Sequence, residues 1–151
     1  MIKNKHEAMI WNRLKNLFHI KFTSKISVGI FNLFVEKFDS FIQYEPPFID
    51  DKVQTKRLDF FIYNKDAGIS DIIEVKSLNV KSTLSHIHEY YIRQDYGNSR
   101  LVLILIGSGY FEYATWLKKH VKMNDLNVKV LYTEKHIDKY VKSIEKKLKK
   151  I

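Results

Sequence analysis

The sequence predicts a single α/β domain in which a mixed β-sheet is flanked by helices. Three observations carry that expectation. Short apolar runs with strand character alternate with longer segments whose apolar residues recur every three to four positions. The run LVLILIG at 101–107 has no polar alternation and suits a central strand covered on both faces. Across 151 residues no repeat, low-complexity stretch or linker divides the chain, so residues 1–151 are taken as one domain.

The elements follow in order. Residues 6–19 place Ile10, Trp11, Leu14, Leu17 and Phe18 at the spacing of an amphipathic helix. Residues 25–38 are ambiguous: Phe31, Phe34, Val35 and Phe38 have helical spacing, while Gly29 and β-branched neighbours oppose it. Phe41–Tyr44 reads as a short strand that Pro46-Pro47 must end or mark as a sheet edge. Leu58–Tyr63 and Asp71–Lys76 are the next two strands, joined through Asn64–Gly68 as an antiparallel hairpin with a longer loop. Ser82 or Thr83 offers an N-cap for a helix reaching Tyr96 and stopping at Gly97-Asn98. After the strand at 101–107 come a helix over about 110–122, a strand near Val128–Tyr132 and a basic helix from about Lys135.

Composition narrows the function classes. The 26 Lys+Arg against 17 Asp+Glu leave a formal charge of +9, which favours a polyanionic partner such as DNA, RNA or an anionic membrane surface. With 45% hydrophobic and 14% aromatic residues the chain is a folded protein, not a disordered tail. The absence of cysteine excludes disulfides, thiolate metal sites and a cysteine nucleophile. No apolar run reaches the ~18 residues a membrane span needs. The N-terminal MIKNKHEAMIWNRLK has no apolar core followed by a small-residue cleavage site, so no signal peptide is expected and the setting is intracellular, in the cytoplasm.

Strand periodicity locates the chemistry. On the second strand Arg57, Asp59, Phe61 and Tyr63 are expected on one face, with Leu58, Phe60 and Ile62 opposite. On the third, Ile72, Glu74 and Lys76 share a face. A hairpin register that pairs the strands brings Asp59 beside Glu74 and Lys76, two carboxylates and an ammonium among apolar residues. Burying such charges costs several kcal/mol per ion unless they are compensated. A hard divalent cation, Mg²⁺ or Mn²⁺, is the natural compensator, since Mg²⁺ takes one or two carboxylates and completes its shell with water and phosphate. Asp59 and Glu74 would supply oxygens, and Lys76 would hold the attacking water or stabilise developing negative charge.

Arg57-Leu58-Asp59, a hairpin, and then Ile73-Glu74-Val75-Lys76 resemble the D…(D/E)xK signature of the PD-(D/E)xK nuclease superfamily. That superfamily includes restriction endonucleases, Holliday-junction resolvases and RecB-like exonucleases. The resemblance covers residues 6–106 and implies a restriction-endonuclease-like core of order αβββαβ, here with a C-terminal α/β extension. It implies a metal-dependent deoxyribonuclease with Asp59, Glu74 and Lys76 as catalytic residues. The first-helix acid of the family falls on Glu7, giving Glu7, Asp59 and Glu74 as metal ligands, and the polar residue on the following helix falls on Gln94. Arg57-Leu58 stands where a proline often precedes the first Asp, and Asn98 stands where the RecB-like branch has a tyrosine four residues after Gln94. In size and basicity the chain is more similar to the Holliday-junction resolvases.

Other readings stand beside these. Glu7 shares the inward face of the first helix, yet a first-turn Glu also suits the helix dipole. Gln94 serves equally as a hydrogen-bonding group within its own helix. His86 and His88, two apart on a helix, do not form a zinc pair. Tyr90 and Tyr91 suit either core packing or base stacking. In the last helix Ile137, Val141, Ile144, Leu148 and Ile151 form an apolar stripe ringed by lysines, a docking helix with a basic outer face. The expectation is a Mg²⁺- or Mn²⁺-dependent nuclease acting on DNA rather than RNA, with Arg57 and Lys81 on phosphates and a homodimer suited to paired cuts. The rival classes are a nucleic-acid-binding module without chemistry and a protein-docking subunit.

Overall fold

A computed structural model describes residues 5–18, 20–22, 37–49, 55–76, 92, 96–107 and 111–150. Helix α1 (Lys5–Leu14) runs into a 3₁₀ turn at Lys15–Leu17, and strands β1 (Ile20–Phe22) and β2 (Ser40–Tyr44) follow. Next come β3 (Pro47–Ile49), β4 (Thr55–Arg57), β5 (Phe60–Asn64) and β6 (Ile69–Lys76). The chain closes with β7 (Arg100–Leu105), α2 (Phe111–Met123), β8 (Val128–Leu131) and α3 (Glu134–Lys149).

Six of the strands form one mixed sheet in the order β1-β2-β5-β6-β7-β8. The pairs β2·β5 and β5·β6 are antiparallel, while β1·β2, β6·β7 and β7·β8 are parallel. The expected α/β class and mixed sheet are therefore present. The expected hairpin is also present, with Phe60 opposite Ile73 and Asn64 opposite Ile69. Its turn is held by Asn64, whose Oδ1 accepts the Ala67 N–H at 2.9 Å, and by Gly68 at a φ of 67° that suits glycine.

The core lies in two layers because the sheet has two apolar faces. On one face Ile42, Phe60, Ile62, Ile73 and Ile104 pack against Ile10, Trp11 and Leu14 of α1 and Ile137, Val141 and Ile144 of α3. On the other, Phe41, Phe61, Ile72, Leu101 and Leu103 meet Ala114 and Leu117 of α2. Strand β7 is central to both layers, and all of Leu101–Leu105 is buried, as its unbroken apolar run requires. Helix α3 begins one residue before the expected start because Thr133 caps it, its hydroxyl accepting the His136 N–H at 3.1 Å.

Two expectations need correction. The second strand does not run from Leu58 to Tyr63: β5 starts at Phe60, and Thr55–Arg57 belongs to a separate two-stranded ribbon with Pro47–Ile49. Pro46 and Pro47 have no N–H for the ladder, so pairing of β2 with β5 stops at Tyr44 opposite Phe60 and the chain leaves the sheet. Face alternation fails for the same reason. Leu58 packs in the same layer as Phe61, not opposite it, because Leu58-Asp59 is a bend rather than a strand.

The ambiguous segment 25–38 lies almost wholly outside the described residues, as do most of the helix expected before Tyr96 and His86, His88, Tyr90 and Tyr91. Strand β1 was not foreseen. Among the described residues no helix is long and apolar enough to cross a membrane.

Candidate active site

The site grows from the packing of α1 on the sheet. Trp11 stacks on Phe60 with ring centroids 5.8 Å apart, and meets Tyr44 edge-on at 6.5 Å. Glu7 lies one helical turn before Trp11 and so projects beyond Phe60 toward its neighbour Asp59. A hydrogen bond joins the side chains of Glu7 and Asp59, and a second joins Asp59 to Glu74. The three carboxyl groups thus form a chain with Asp59 in the middle.

Asp59 is fixed by the edge of β6. Strand β5 ends its pairing at Phe60, so β6 continues past it through Glu74, Val75 and Lys76 with no β5 residue opposite. The Val75 N–H left over on that side donates to Asp59 Oδ2 at 2.6 Å. The other edge of this stretch is paired, Glu74 lying opposite Leu103 and Lys76 opposite Leu105 of β7. Glu74 is 4% exposed and Lys76 half-buried.

Burial of the acids, and after it their crowding, sets the electrostatics. Burial, then the hydrogen bond and the negative charge of Asp59, push the Glu7 carboxyl up to about 8. The Asp59 carboxyl is pushed up to about 8 by burial and by Glu74. The Lys76 charge works in the opposite direction on Glu7 without cancelling the effect. Near neutrality these groups share protons where no cation balances them.

Two residues of the site escaped the sequence. Glu45 is a fourth carboxyl group beside the cluster, where its charge raises Glu7 further, and its N–H donates to the Asp59 carbonyl at 2.8 Å. Its φ of 52° lies in the left-handed region, which costs a non-glycine residue on the order of 1–3 kcal/mol. Tyr44 borders the acids, its hydroxyl pushed up to about 12 by burial and then by Glu45, Glu7 and Asp59. The missed signal is register: continuing the pair Tyr44·Phe60 by one residue sets Glu45 against Asp59.

The structure therefore brings together Glu7, Asp59, Glu74 and Lys76. Gln94 and Lys81 lie outside the described residues, and of Arg57 only the backbone in β4 is described. All donors in the cluster are carboxylate oxygens, the ligand type that Mg²⁺ and Mn²⁺ prefer. Among the described residues, however, no group of three or more such side chains is already set to hold an ion, and the acids meet in pairs. Comparison with known protein families, curated proteins and solved structures finds no match for this chain.

Proposed function

We propose that this protein is a metal-dependent nuclease of the PD-(D/E)xK kind, hydrolysing phosphodiester bonds of DNA. One observation carries the reading: Glu7, Asp59 and Glu74, distant in sequence, form one hydrogen-bonded chain of acids beside Lys76. A purely structural core has no use for three adjoining acids, because their mutual repulsion raises the energy of the charged state. Support also comes from the arrangement around them, with α1, then antiparallel β2, β5 and β6, then β7 parallel to β6.

In this reading Asp59 and Glu74 hold Mg²⁺ or Mn²⁺, and Glu7 joins through Asp59. The cation, when bound, supplies a Lewis acid and lowers the pKa of a water molecule. The Val75 N–H holds Asp59 in one orientation through Oδ2, which leaves Oδ1 for a ligand in this reading. Lys76 sits two residues from Glu74 on the same side of β6, placed to hold the attacking water or to offset the charge that grows on the phosphoryl oxygens. Glu74 is buried where β6 pairs with β7. The net charge of +9 favours binding of the polyanionic substrate.

A second reading, a nucleic-acid-binding module without chemistry, is favoured by the acids meeting in pairs rather than around a single point. Cleavage of labelled linear, circular, single-stranded and four-way-junction DNA with Mg²⁺, Mn²⁺ or EDTA separates the two. Metal-dependent cutting supports the nuclease, and the ranking of substrates defines its kind. Salt-sensitive binding with no cutting under either metal favours the module.

A further inference from the structure

The far edge of the sheet carries a second charged feature. Among the described residues strand β8 is the terminal strand of the sheet, flanked by α2 on one face and α3 on the other. A cleft of about 330 Å³ opens along it, lined by Lys118, Lys129, His136, Lys139, Tyr140 and Ser143. Three different elements thus deliver cations to one place: Lys118 from α2, Lys129 from β8, and Lys139 from α3.

Among the described residues no carboxylate answers them. Among the described residues none of these lysines makes an ion pair. The acid that acts on Lys129 is Asp71, which is already engaged by the Arg100 guanidinium at 2.8 and 3.1 Å and by the Tyr140 hydroxyl at 2.7 Å. Burial first, then the charges of Arg100 and Lys118, hold the Lys129 ammonium below its usual range. His136 is lowered in the same way, by burial and then by Lys118 and Lys139. Like charges crowded in a cleft raise the energy of the empty site, and an anion placed among them removes that cost.

Aromatic groups continue the surface. Tyr132 follows β8, with the Lys118 ammonium 5.8 Å from its ring centre and the His136 ring edge-on at 4.5 Å. Phe111 meets Tyr132 edge-on at 5.7 Å, yet is 59% exposed. Along α2, Phe111, Lys118 and Lys122 fall on one stripe at helical spacing. Cations beside exposed aromatic faces suit a strand whose phosphates alternate with stackable bases.

We infer that the β8 edge, between Lys118, Lys129 and Lys139 and on to Phe111, binds the phosphodiester backbone of a nucleic acid. The inference rests on the nuclease reading for its choice of polyanion. Topology supports the link. The parallel strands β6, β7 and β8 end on the same side, so Lys76 and Tyr132 sit at the same end of the sheet with only β7 between them. At ~4.8 Å per strand the two strands are about 10 Å apart. A polynucleotide lying on the β8 edge and passing Phe111 would reach the acids of the candidate site.

The test is binding of a fluorescent 20-nucleotide DNA by anisotropy in EDTA, where no cleavage intervenes. Lys118→Gln/Lys129→Gln/Lys139→Gln is expected to bind at least about tenfold more weakly than wild type, with a salt dependence shallower by about two to three released ions. If the triple variant fails to fold, Lys118→Gln/Lys139→Gln, both exposed, is expected to show the same loss in smaller measure. Unchanged affinity and salt slope overturn the inference while leaving the nuclease reading to its own cleavage assay. Loss of binding to phosphatidylserine vesicles without loss on DNA also overturns it. DNA binding that depends on these lysines in a protein that never cuts keeps the surface and removes the nuclease.

Discussion

Asp59 Oδ2 accepts the backbone N–H of Val75 at 2.6 Å, so a carboxylate in a bend is pinned to the strand that carries Glu74 and Lys76. The acid chain and the hairpin register are consequently one structural unit. A carboxylate that caps a strand edge in this way keeps its second oxygen for another partner.

Replacing Asp59 separates these two roles. Asp59→Asn keeps an acceptor for Val75 and removes the charge, whereas Asp59→Ala also leaves the N–H unpaired. Both are expected to eliminate cleavage. In urea titrations at pH 8 with EDTA, the Ala variant should be less stable than the Asn variant by about 1–2 kcal/mol. Equal stabilities would contradict the tether.

The metal-free protein should lose stability as pH rises. Glu7 and Asp59 hold their protons to about 8 when folded but release them near 4 when unfolded. Between those values the folded state carries more protons, so the stability these two groups contribute is full below about pH 4 and is lost as pH rises to about 8, by at most about 1.4 kcal/mol per pH unit for each extra proton held. Asp138, held low by Lys142 and Arg13, acts with the opposite sign only in acid, and His136, lowered by burial and then Lys118, opposes the slope below about 6.5 but with one proton against two. Thermal melts in EDTA across pH 5–9 read the slope directly, and Mg²⁺ or Mn²⁺ should flatten it. Stability that is flat or rises with pH in EDTA would contradict the acid chain.

Lys76 should matter to rate more than to folding. It is half-buried at the end of β6, so Lys76→Met keeps most of its packing. The expected result is a fall in cleavage of roughly 10²–10³-fold with little change in melting temperature, as for loss of one charge-stabilising group. Activity within a few-fold of wild type would remove Lys76 from the mechanism.

A remote network provides a structural control. Asp71 is buried and receives Arg100 and Tyr140, which join β6, β7 and α3. Tyr140→Phe removes one donor and should cost about 1–2 kcal/mol. Arg100→Met strands the carboxylate and should cost about 3 kcal/mol. Neither change should alter the metal dependence of cleavage at a temperature where the variant is folded.

Much of this arrangement was legible in the sequence where a single period governs a segment. The buried run of β7, the hairpin of β5 and β6 and the amphipathic helices α1 and α3 follow from periodicity alone. Glu74 and Lys76 were placed correctly together because β6 alternates without interruption. Asp59 reached its expected neighbours by a different route. It lies in a bend opened by Pro46-Pro47, where strand parity no longer applies, and a side-chain bond to Val75 supplies the placement instead. Glu45 was missed because its role depends on that same departure from the sheet and on a left-handed backbone. The basic cleft was illegible because Lys118, Lys129 and Lys139 are separated in sequence and meet only across three elements.

The most direct test of the central claim compares wild type with Glu74→Gln on linear duplex DNA in Mn²⁺. The substitution keeps the shape and hydrogen bonding of the buried side chain and removes only its charge. The account predicts Mn²⁺-dependent cutting by wild type, abolished by EDTA, and none by a folded Glu74→Gln variant. Full cutting by that variant would contradict it.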